Sequence, residues 1–540
     1  MYMNGVLHDI FPKESDIPTE YQLADIHQTE YLINGEIRHW KGPMQEVRSP
    51  IFIRTGNGLE QKRLGSYPLM GEKEAMEALR AAVEAYSNGR GKWPAMSVAD
   101  RIDHVKEFVG RMKKQRQEMV KLLMWEIGKS RHHSETEFDR TIAYINDTIE
   151  AVKELDRLSS RFTSEEGVIG QIKRAPLGVV LCMGPYNYPL NETFTTMIPA
   201  LIMGNPVIFK PPRFGVLVHR PLLEIFRDCF PPGVVNTVYG KGEVVAKPLM
   251  TSGGISVLAF IGSSKVAGML KKLHPQPHRL RSCLGLEAKN PAIILADADL
   301  DVAVKECLLG ALSFNGQRCT ALKMFFVHYK IADEFMERFV TAVSNMKIGM
   351  PWEDKVEITP MPEMDRISYL DGLVKDALQK GAQVVNEGGG ASCQTLFYPA
   401  ILAPVNNEMR VYHEEQFGPV IPIAAFADIE TPVRYIMESK YGQQASVFGK
   451  DPDKIGELID LLVNQVCRVN INCQCQRGPD NFPFTGRKDS AELTLSVTDA
   501  LRVFSIRTMV AAKNTDLNKN LFAEITREHK SKFLTTDYLF

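Results

Sequence analysis

The chain has 540 residues, of which 44% are hydrophobic and 24% charged, and its formal net charge is −1 at pH 7. This length exceeds what one hydrophobic core usually serves, so two or three domains are expected. The near-neutral charge provides no general attraction to nucleic acid or to an anionic membrane. No apolar run reaches the roughly 20 residues of a membrane-spanning helix.

Two further features concern the compartment. Residues 1–20 lack the basic segment and apolar core of a secretory signal peptide. The nine cysteines are unevenly spaced in a long chain, which does not indicate a disulfide framework. We therefore expect a cytoplasmic protein in a reducing environment, without nucleic-acid or membrane partners.

The N-terminal third is predicted to be mainly helical. Residues 1–50 have weak periodicity and are expected to form an extended arm over the surface. Helices are predicted at 69–86, behind the N-cap Ser97, and at about 134–158, from apolar residues at helical spacing. Residues 157–176 then alternate polar and apolar side chains, a pattern that fits a β-hairpin and a surface loop equally well.

From residue 177 the sequence alternates short apolar runs with helical segments. This alternation predicts βαβ units and hence an α/β fold with a mostly parallel sheet covered on both faces. A nucleotide site is expected at the carboxyl edge of such a sheet. The predicted strands are 177–183, 206–209, 234–238 and 257–261, and the predicted helices lie near 191–203, 217–229, 243–251 and 264–273.

A second α/β region is predicted to begin near Lys289. Its predicted strands are 292–295, 324–327 and 383–386, and its predicted helices are 300–313, 331–344 and 369–380. After residue 495 a short strand is predicted at 501–506, and polar residues follow to the C-terminus.

The segment 314–321 holds the strongest candidate nucleophile. Cys319 follows a glycine turn beyond a predicted helix and stands next to Arg318. Most lone cysteines are small buried hydrophobic residues, but an adjacent cation lowers the free-energy cost of forming the nucleophilic thiolate. We interpret Cys319 as a nucleophile and Arg318 as a group that binds an anion, with a structural ion pair as the alternative for Arg318. Cys473 and Cys475 have no second cysteine pair or histidine nearby, so no metal site is predicted.

Two strand ends carry further candidates. In the turn at 184–189, two prolines leave the Asn187 amide free to donate hydrogen bonds. A donor aimed at a developing oxyanion contributes about 3 kcal/mol, although an Asn that only caps a turn is the simpler alternative. The next strand ends at Lys210 and Arg213. Two cations without a nearby acid favour a ribose 2′-phosphate over a 2′-hydroxyl, unless both are only solvated surface charges.

With these segments the sequence resembles the aldehyde dehydrogenase superfamily over roughly residues 65–512. The matching segments are the P-Y-N-Y-P turn, F-K-P-P at 209–212, F-I-G-S at 260–263, the cysteine loop and E-Q-F-G-P at 415–419. The resemblance implies a homo-oligomer, either a dimer or a tetramer. It also implies a Rossmann-type cofactor domain (51–156 and 177–288), a catalytic α/β domain (289–495), an oligomerisation β-hairpin (157–176 with 496–512) and a C-terminal extension (513–540).

Within the superfamily the chain resembles the NADP-dependent, non-phosphorylating glyceraldehyde-3-phosphate dehydrogenases. This resemblance lies in G-Q-R-C-T-A at 316–321 and R-G-P-D-N-F-P-F at 477–484. It implies that the substrate phosphate is held by Arg140, Tyr188, Arg318 and Arg477. Arginine suits that role because its forked donors match a dianion. A solvated helix face is the alternative for Arg140.

The resemblance also implies NADP as the cofactor. Many members that prefer NAD have Glu where Arg213 stands, so NADP is the better prediction. The implied cofactor residues are Lys210 and Arg213 at the adenosine ribose and its 2′-phosphate, Gly262 and Ser263 beside the pyrophosphate, and Glu415 and Phe417 at the nicotinamide ribose.

One position departs from the superfamily pattern. Members usually read E-L-G-G-K, and that Glu activates the water that hydrolyses a thioester, whereas this chain reads G-L-E-A-K at 285–289. Strand faces alternate with period two, so Gly285 and Glu287 are expected to face the same way, about 6.6 Å apart. Glu287 could then act as the catalytic base, directly or through a water. Alternatively it only pairs with Lys289 or a helix end, and the base lies elsewhere or is missing.

The implied reaction is the irreversible oxidation of glyceraldehyde 3-phosphate to 3-phosphoglycerate with NADP⁺, without inorganic phosphate or metal. Cys319 would attack the aldehyde carbon, and Asn187 with the Cys319 backbone N–H would hold the oxyanion. Water would then release the acid from a thioester. Two alternatives stay open: the thioester could pass to coenzyme A, as in an acylating semialdehyde dehydrogenase, or the chain could be a catalytically inactive structural or binding protein.

Overall fold

The structure is a computed structural model that describes residues 2–539, and two large sheets dominate it. The first sheet has five parallel strands and a short antiparallel sixth strand. In spatial order they are Val235–Thr237, Val207–Lys210, Val180–Met183, Val257–Ile261, Arg281–Gly285 and Ala491–Glu492. Their connecting helices are Asn191–Ile202, Leu223–Cys229, Gly242–Thr251 and Ser264–Leu273, and the short 3₁₀ segment Leu217–Leu222 precedes the second of them. The predicted strand–helix alternation is thus confirmed.

The strand order of this sheet creates a crevice. Val180–Met183 is the first of the five parallel strands in the sequence, and the chain builds outward from it, first to one side and then to the other. The connections that follow the strands therefore run in opposite directions on the two sides of Val180–Met183. Ligands of doubly wound sheets bind at such a switch point, outside the carboxyl ends of the strands.

The second sheet has seven strands, all parallel except for one edge strand. The five central strands are continuous, mostly buried apolar runs, as expected for parallel strands covered by helices, whereas the two edge strands are partly exposed. In order they are Gln383–Val384, Ala400–Ala403, Val420–Phe426, Leu322–His328, Asn290–Ile294, Gln444–Phe448 and Arg468–Ile471. The helices of this region are Leu300–Leu312, Ala332–Ser344, Met364–Gln379, Arg410–His413, Glu430–Glu438 and Pro452–Leu462.

The alternating segment at 157–176 forms a β-hairpin. Phe162–Glu165 and Val168–Pro176 pair antiparallel, and Ser505–Lys513 adds a third strand beside Val168–Pro176. The strand predicted at 501–506 is wrong in its position, because a helix, Val497–Val503, buries Leu501 first and the strand starts only at Ser505. A short apolar run could not be distinguished from a buried helix by its composition.

The N-terminal segment is not an extended arm. It begins with a helix, Tyr2–Ile10, and Phe11 and Leu32 are buried in the main core. The backbone N–H of Leu32 donates to Thr237 Oγ1 at 2.8 Å, which fixes this segment to the edge of the first sheet. Its strands are Ile26–His27, Glu30–Ile33, Glu36–His39, Met44–Thr55 and Gly58–Pro68. The segment forms mostly strands, which leave no helical periodicity in the sequence, so its burial was not predicted.

Four helices follow, and the C-terminal residues contact the end of the last one, where Ser160 Oγ donates to Asp537 O at 3.1 Å, and the hairpin that follows it. Ser97 Oγ accepts from the backbone N–H of Asp100 at 3.1 Å, so the predicted N-cap is confirmed. The helices are Glu72–Tyr86, Val98–Met112, Arg116–Ile127 and the 29-residue Arg131–Ser159. The polar C-terminal residues are ordered: they form a helix, Asp516–Arg527, and Gln171 Nε2 donates to Thr535 O at 2.8 Å.

The remaining strands are short. They pair as two small antiparallel ribbons, Ser392–Cys393 with Leu396–Phe397 and Tyr441–Gly442 with Arg487–Lys488. Between residues 2 and 539, none of the helices is both long enough and apolar enough to cross a membrane.

Candidate active site

A cavity of about 1200 Å³ brings the predicted site residues together. Its walls are the carboxyl ends of the first sheet, the cysteine loop, the loops at 413–417 and 440–441 between strands of the second sheet, and the segment 474–478 that follows its last strand. Lys210 is the one predicted site residue that does not line it. The predicted residues that do are Arg140, Asn187, Tyr188, Arg213, Gly262, Ser263, Glu287, Arg318, Cys319, Glu415, Phe417 and Arg477.

The cysteine loop is held by its backbone. Phe314 and Asn315 both adopt positive φ, 50° and 56°, and Asn315 exchanges hydrogen bonds with the backbone of Thr359 at 3.0 Å. The Cys319 carbonyl accepts from Asn290 Nδ2 at 2.9 Å and from Lys323 Nζ at 3.1 Å. These contacts fix Cys319 at the cavity wall, with its side chain partly exposed there.

The electrostatics of Cys319 differ from the prediction. Burial raises the pKa of its thiol above the ordinary value, and the negative charge of Glu192 raises it further. Lys323 and Arg477 act in the opposite direction and favour the thiolate. The adjacent Arg318 was expected to do this, and the expectation is wrong. Its guanidinium turns away instead, to donate to the carbonyls of residues 309 and 310 at 3.0 and 2.9 Å.

Asn187 lies against the cysteine loop. Its amide Nδ2 donates to the Gln317 carbonyl at 2.8 Å, which leaves the second amide hydrogen for another acceptor. The backbone carbonyl of Asn187 accepts a hydrogen bond from Lys129 Nζ at 2.6 Å. Asn187 is 5% exposed, so this geometry is held inside the protein and is not a solvent-exposed turn cap.

A buried ion pair that the sequence reasoning missed supports this turn. Lys129 pairs with Glu137, and both side chains have no exposed surface. Glu137 Oε1 accepts from the backbone N–H groups of Leu190 and Asn191 at 2.9 and 3.2 Å. The pair therefore fixes the backbone on both sides of Tyr188. A helical pattern cannot reveal such a pair, although a Lys followed eight residues later by a Glu at a helix start was visible.

The predicted phosphate-binding arginines are paired with carboxylates. Arg140 donates twice to Asp480, from Nε at 3.0 Å and Nη2 at 2.7 Å, so it is not merely a solvated residue on a helix face. Arg477 is 5% exposed and contacts Glu192 through Nη1 and Asp480 through Nε at 3.3 Å. Burial disfavours ionisation of Asp480, but the two arginines outweigh it and hold its pKa below the usual value.

Tyr188 completes this end of the cavity. Lys129 Nζ lies 3.7 Å from the centre of its ring, a cation–π contact inside the protein. Burial raises the pKa of its hydroxyl to about 12, so the group is a neutral donor at physiological pH. We call the part of the cavity around Arg140, Tyr188, Arg318 and Arg477 the substrate end.

The opposite part, which we call the cofactor end, lies at the first sheet. Lys210 ends the second strand of that sheet, and its Nζ donates to Pro211 O at 3.0 Å. Burial lowers the Lys210 pKa to about 8. Arg213 is exposed, with its guanidinium 5.2 Å from the Phe214 ring centre. No Asp or Glu stands between Lys210 and Phe214.

Two further segments border the cofactor end. Ser263 caps the helix Ser264–Leu273, since its hydroxyl accepts from Val266 N at 3.4 Å, and Gly262 N donates to Gly285 O at 3.0 Å. Glu415 Oε1 accepts from Lys323 Nζ at 2.5 Å and from Ala288 N at 3.1 Å. Phe417 has φ 44°, with its ring 5.5 Å from Lys323 Nζ.

Glu287 contacts a helix end, one of the alternatives open from the sequence. Its Oε2 accepts from Ser264 N at 2.7 Å, at the start of Ser264–Leu273. Lys289 instead pairs with Gln416 at 2.6 Å. The strand ends at Gly285, so the face alternation used to place Glu287 beside Gly285 does not extend that far. A Cβ atom at position 285 would meet its nearest neighbour, a side-chain atom of Ile261, at 3.4 Å, so packing around the Cβ position does not demand glycine there.

Known proteins resemble this chain over most of its length. Residues 49–508 match the model of the aldehyde dehydrogenase family. An NADP-dependent glyceraldehyde-3-phosphate dehydrogenase from Streptococcus equinus is 33% identical over 500 residues, or 90% of this chain and 98% of the relative. A lactaldehyde dehydrogenase from Methanocaldococcus jannaschii is 28% identical over 452 residues, or 83% of this chain and 94% of the relative. The crystal structure of an NADP-dependent glyceraldehyde-3-phosphate dehydrogenase from Bacillus halodurans, complexed with NADP, is 30% identical with a TM-score of 0.83. The match covers 91% of this chain and 100% of the Bacillus halodurans chain.

Proposed function

The chain belongs to the aldehyde dehydrogenase family, and we propose that it oxidises glyceraldehyde 3-phosphate to 3-phosphoglycerate with NADP⁺. The observation that carries the proposal is the arrangement around Cys319. One cavity joins this thiol to an amide donor, Asn187, and to three arginines, Arg140, Arg318 and Arg477. Relatives named for this activity support the substrate, and the arginines supply the charge that a phosphate dianion needs.

The first half of the reaction uses the cysteine loop. The Cys319 thiolate attacks the aldehyde carbon, and negative charge develops on the former carbonyl oxygen. The second amide hydrogen of Asn187 and the backbone N–H of Cys319 donate to that oxygen. Because both donors are already fixed by the contacts with Gln317 and Asn290, little reorganisation is required when the charge appears. Loss of hydride from the resulting thiohemiacetal leaves a thioester on Cys319.

The cofactor end fits NADP by the chemistry of its donors. Lys210 and Arg213 provide two cations and no competing carboxylate for a 2′-phosphate. The start of the helix Ser264–Leu273 places a positive dipole end beside Gly262, which suits a diphosphate that displaces Glu287 from Ser264 N. Glu415 and Phe417 would hold the nicotinamide ribose. When bound, NADP⁺ supplies the hydride acceptor.

The substrate end would bind the phosphate through shared arginines. Arg140 and Arg477 are already paired with Asp480 and Glu192, whereas Arg318 donates to backbone carbonyls and has no carboxylate partner among the salt bridges of residues 2–539. The remaining positive charge suits an anion, and the neutral Tyr188 hydroxyl adds a donor. This partial neutralisation also favours a second candidate substrate, a small hydroxyaldehyde without phosphate, of the kind acted on by the lactaldehyde dehydrogenase relative.

We also propose that the three-stranded sheet is an assembly surface. Ser505–Lys513 is an edge strand that pairs with Val168–Pro176 and with no other strand among residues 2–539. Ile506 and Met509 on this strand are 49% and 50% exposed. An unprotected edge with apolar side chains is suited to pairing with another copy. Sedimentation of the purified chain would give a dimer or tetramer if this is right and a monomer if it is not.

The experiment that tests the activity follows NADPH formation with glyceraldehyde 3-phosphate, in the absence of inorganic phosphate and coenzyme A. We expect sustained turnover, faster with NADP⁺ than with NAD⁺, and a kcat/KM for this substrate at least tenfold above that for lactaldehyde. A higher kcat/KM for lactaldehyde would establish the second candidate. Turnover that stops after one equivalent and resumes with coenzyme A would identify acyl transfer to that thiol. No reduction with any of these aldehydes would overturn the proposal.

A further inference from the structure

The site described so far lacks an assigned proton acceptor for the thioester step. Position 285, where the superfamily carries its water-activating Glu, is Gly. Besides Glu192, four carboxylates line the cavity, and each accepts hydrogen bonds from other groups, through one oxygen in Glu287, Glu363 and Glu415 and through both oxygens in Glu414. The donors are Ser264 N for Glu287, Arg366 for Glu363, Arg410 and Tyr369 for Glu414, and Lys323 and Ala288 N for Glu415.

Glu192 is the carboxylate whose placement differs. It lies on the first turn of Asn191–Ile202, directly after the turn that carries Asn187, and it lines the same cavity as Cys319. Its Oε2 contacts Arg477 Nη1, whereas its Oε1 accepts no hydrogen bond from residues 2–539. The side chain is 10% exposed, and that exposed surface faces the cavity. One oxygen is thus anchored and the other is available to a water.

The charge of Glu192 acts on the thiol itself. Among the carboxylates lining the cavity, Glu192 is the one whose charge raises the Cys319 pKa. Arg477 contacts both Glu192 and Asp480, so one buried guanidinium anchors the two carboxylates.

We propose that Glu192 is the base that activates water to hydrolyse the thioester on Cys319, in place of a glutamate at position 285. The inference rests on the proposed function, because it concerns the fate of an acyl group attached to this thiol. Glu192 Oε1 accepts a proton from water as the water oxygen bonds to the thioester carbon. The carbon–sulfur bond then breaks, the Cys319 thiolate leaves, and the acid is released. The proton on Glu192 passes to solvent through the cavity, which restores the carboxylate.

The test compares acylation with deacylation in E192Q. Glutamine keeps the size and a hydrogen-bonding oxygen but is not a base. With glyceraldehyde 3-phosphate and NADP⁺, E192Q should form about one NADPH per Cys319 in a rapid burst and then turn over at least 100-fold more slowly than the unmodified chain. Mass spectrometry of the quenched protein should find the acyl group on Cys319. A lost burst, or steady turnover within threefold of the unmodified chain, would overturn the proposal.

An activated ester separates this inference from the choice of substrate. p-Nitrophenyl acetate acylates an exposed reactive thiol without cofactor and releases coloured nitrophenolate. In E192Q the nitrophenolate burst should persist, hydrolysis should stop, and hydroxylamine should restore turnover because it attacks a thioester without a carboxylate base. If the unmodified chain does not oxidise glyceraldehyde 3-phosphate, the result counts against the proposed function, but the ester assay still tests the role of Glu192. An unmodified chain that acylates but never hydrolyses the ester would overturn the assignment of a base.

Two variants exclude an indirect effect. D480N removes the other carboxylate from Arg477; it should raise the KM for the aldehyde and leave the ratio of ester hydrolysis to acylation as in the unmodified chain. If D480N blocks deacylation as E192Q does, the effect passes through Arg477 and the proposal fails. E287Q tests the competing assignment directly: a deacylation block in E287Q with normal deacylation in E192Q would place the base at Glu287.

Discussion

The substrate end and the cofactor end of the cavity hold charge in different ways. At the substrate end Arg140 and Arg477 are fixed by Asp480, and Arg477 also by Glu192, mostly away from solvent. At the cofactor end Lys210 and Arg213 have no ion-pair partner among the salt bridges of residues 2–539, and Arg213 is exposed. One end is a network of ion pairs around the buried Arg477, and the other has an exposed Arg213 near a partly buried Lys210 at a strand end.

This difference predicts which single substitutions should have large effects on stability or binding. Removing one member of a buried pair leaves an uncompensated charge, so the cost is large and little affected by salt. An exposed cation is screened by solvent and ions, so its removal costs little and the cost shrinks as ionic strength rises. Graded effects along the cavity, from Lys129 to Arg213, are the expected consequence.

The largest effect is expected from K129M, beneath the substrate end. The substitution leaves the Glu137 carboxylate buried without its cation, which should lower the free energy of unfolding by about 3–5 kcal/mol. Urea unfolding followed by tryptophan fluorescence measures this loss. The double variant K129M/E137L should recover part of the stability. An unfolding midpoint for K129M equal to that of the unmodified chain would show that the pair is not a stabilising feature.

The next largest effect is expected from N187A. Loss of one oxyanion donor should reduce kcat by about 10²–10³, equivalent to about 3–4 kcal/mol. The burst rate of NADPH formation should fall by the same factor, since the donor acts before hydride transfer. NADP binding, measured by fluorescence titration, serves as the control and should be unchanged. A kcat within threefold of the unmodified chain would remove Asn187 from the mechanism.

A smaller, substrate-dependent effect is expected from R140A. Loss of a forked donor should raise the KM for glyceraldehyde 3-phosphate about 10–100-fold, the range for hydrogen bonds between charged groups. The KM for unphosphorylated glyceraldehyde should change less than threefold. Equal increases for both aldehydes would mean that Arg140 only orders Asp480 and does not face a phosphate.

The smallest effect is expected from R213E at the cofactor end. Reversing this exposed charge should raise the KM for NADP⁺ about tenfold and leave that for NAD⁺ nearly unchanged. The ratio of the KM for NADP⁺ in R213E to that in the unmodified chain should decrease between 50 and 500 mM salt. R434E makes the same charge change on an exposed helix outside the cavity and serves as the control. A salt-independent effect would indicate that Arg213 becomes buried when the cofactor binds.

The sequence predicted the parts of this molecule that local patterns determine. Apolar runs alternating with helical segments predicted the α/β fold and four of the five parallel strands of the first sheet, since buried parallel strands and their helices each leave a distinct period. Only three of the seven strands of the second sheet were predicted. Strand ends located Asn187 and Lys210, because parallel strands place their carboxyl ends at one edge. The motif around Cys319 predicted the loop on which the cavity is centred.

Contacts between distant segments were beyond such patterns. Arg477 and Glu192 are 285 residues apart, so no spacing rule connects them, and Glu192 was missed. The sequence suggested that Arg318 acts on its neighbour Cys319, but adjacent side chains on a turn point in different directions, and Arg318 binds backbone carbonyls instead. The burial of the N-terminal segment depends on the surface that the first sheet offers it, which no local pattern contains.

The packing of the two chain ends makes the folding unit larger than the unit of family resemblance. The family match spans residues 49–508, yet Phe11 and Leu32 lie in the main core, and Phe522 and Leu534 are buried at the other end. These flanking residues cover apolar surface that the shared segment would otherwise expose. A shortened chain cut at the family boundaries would therefore expose this apolar surface and be prone to aggregate.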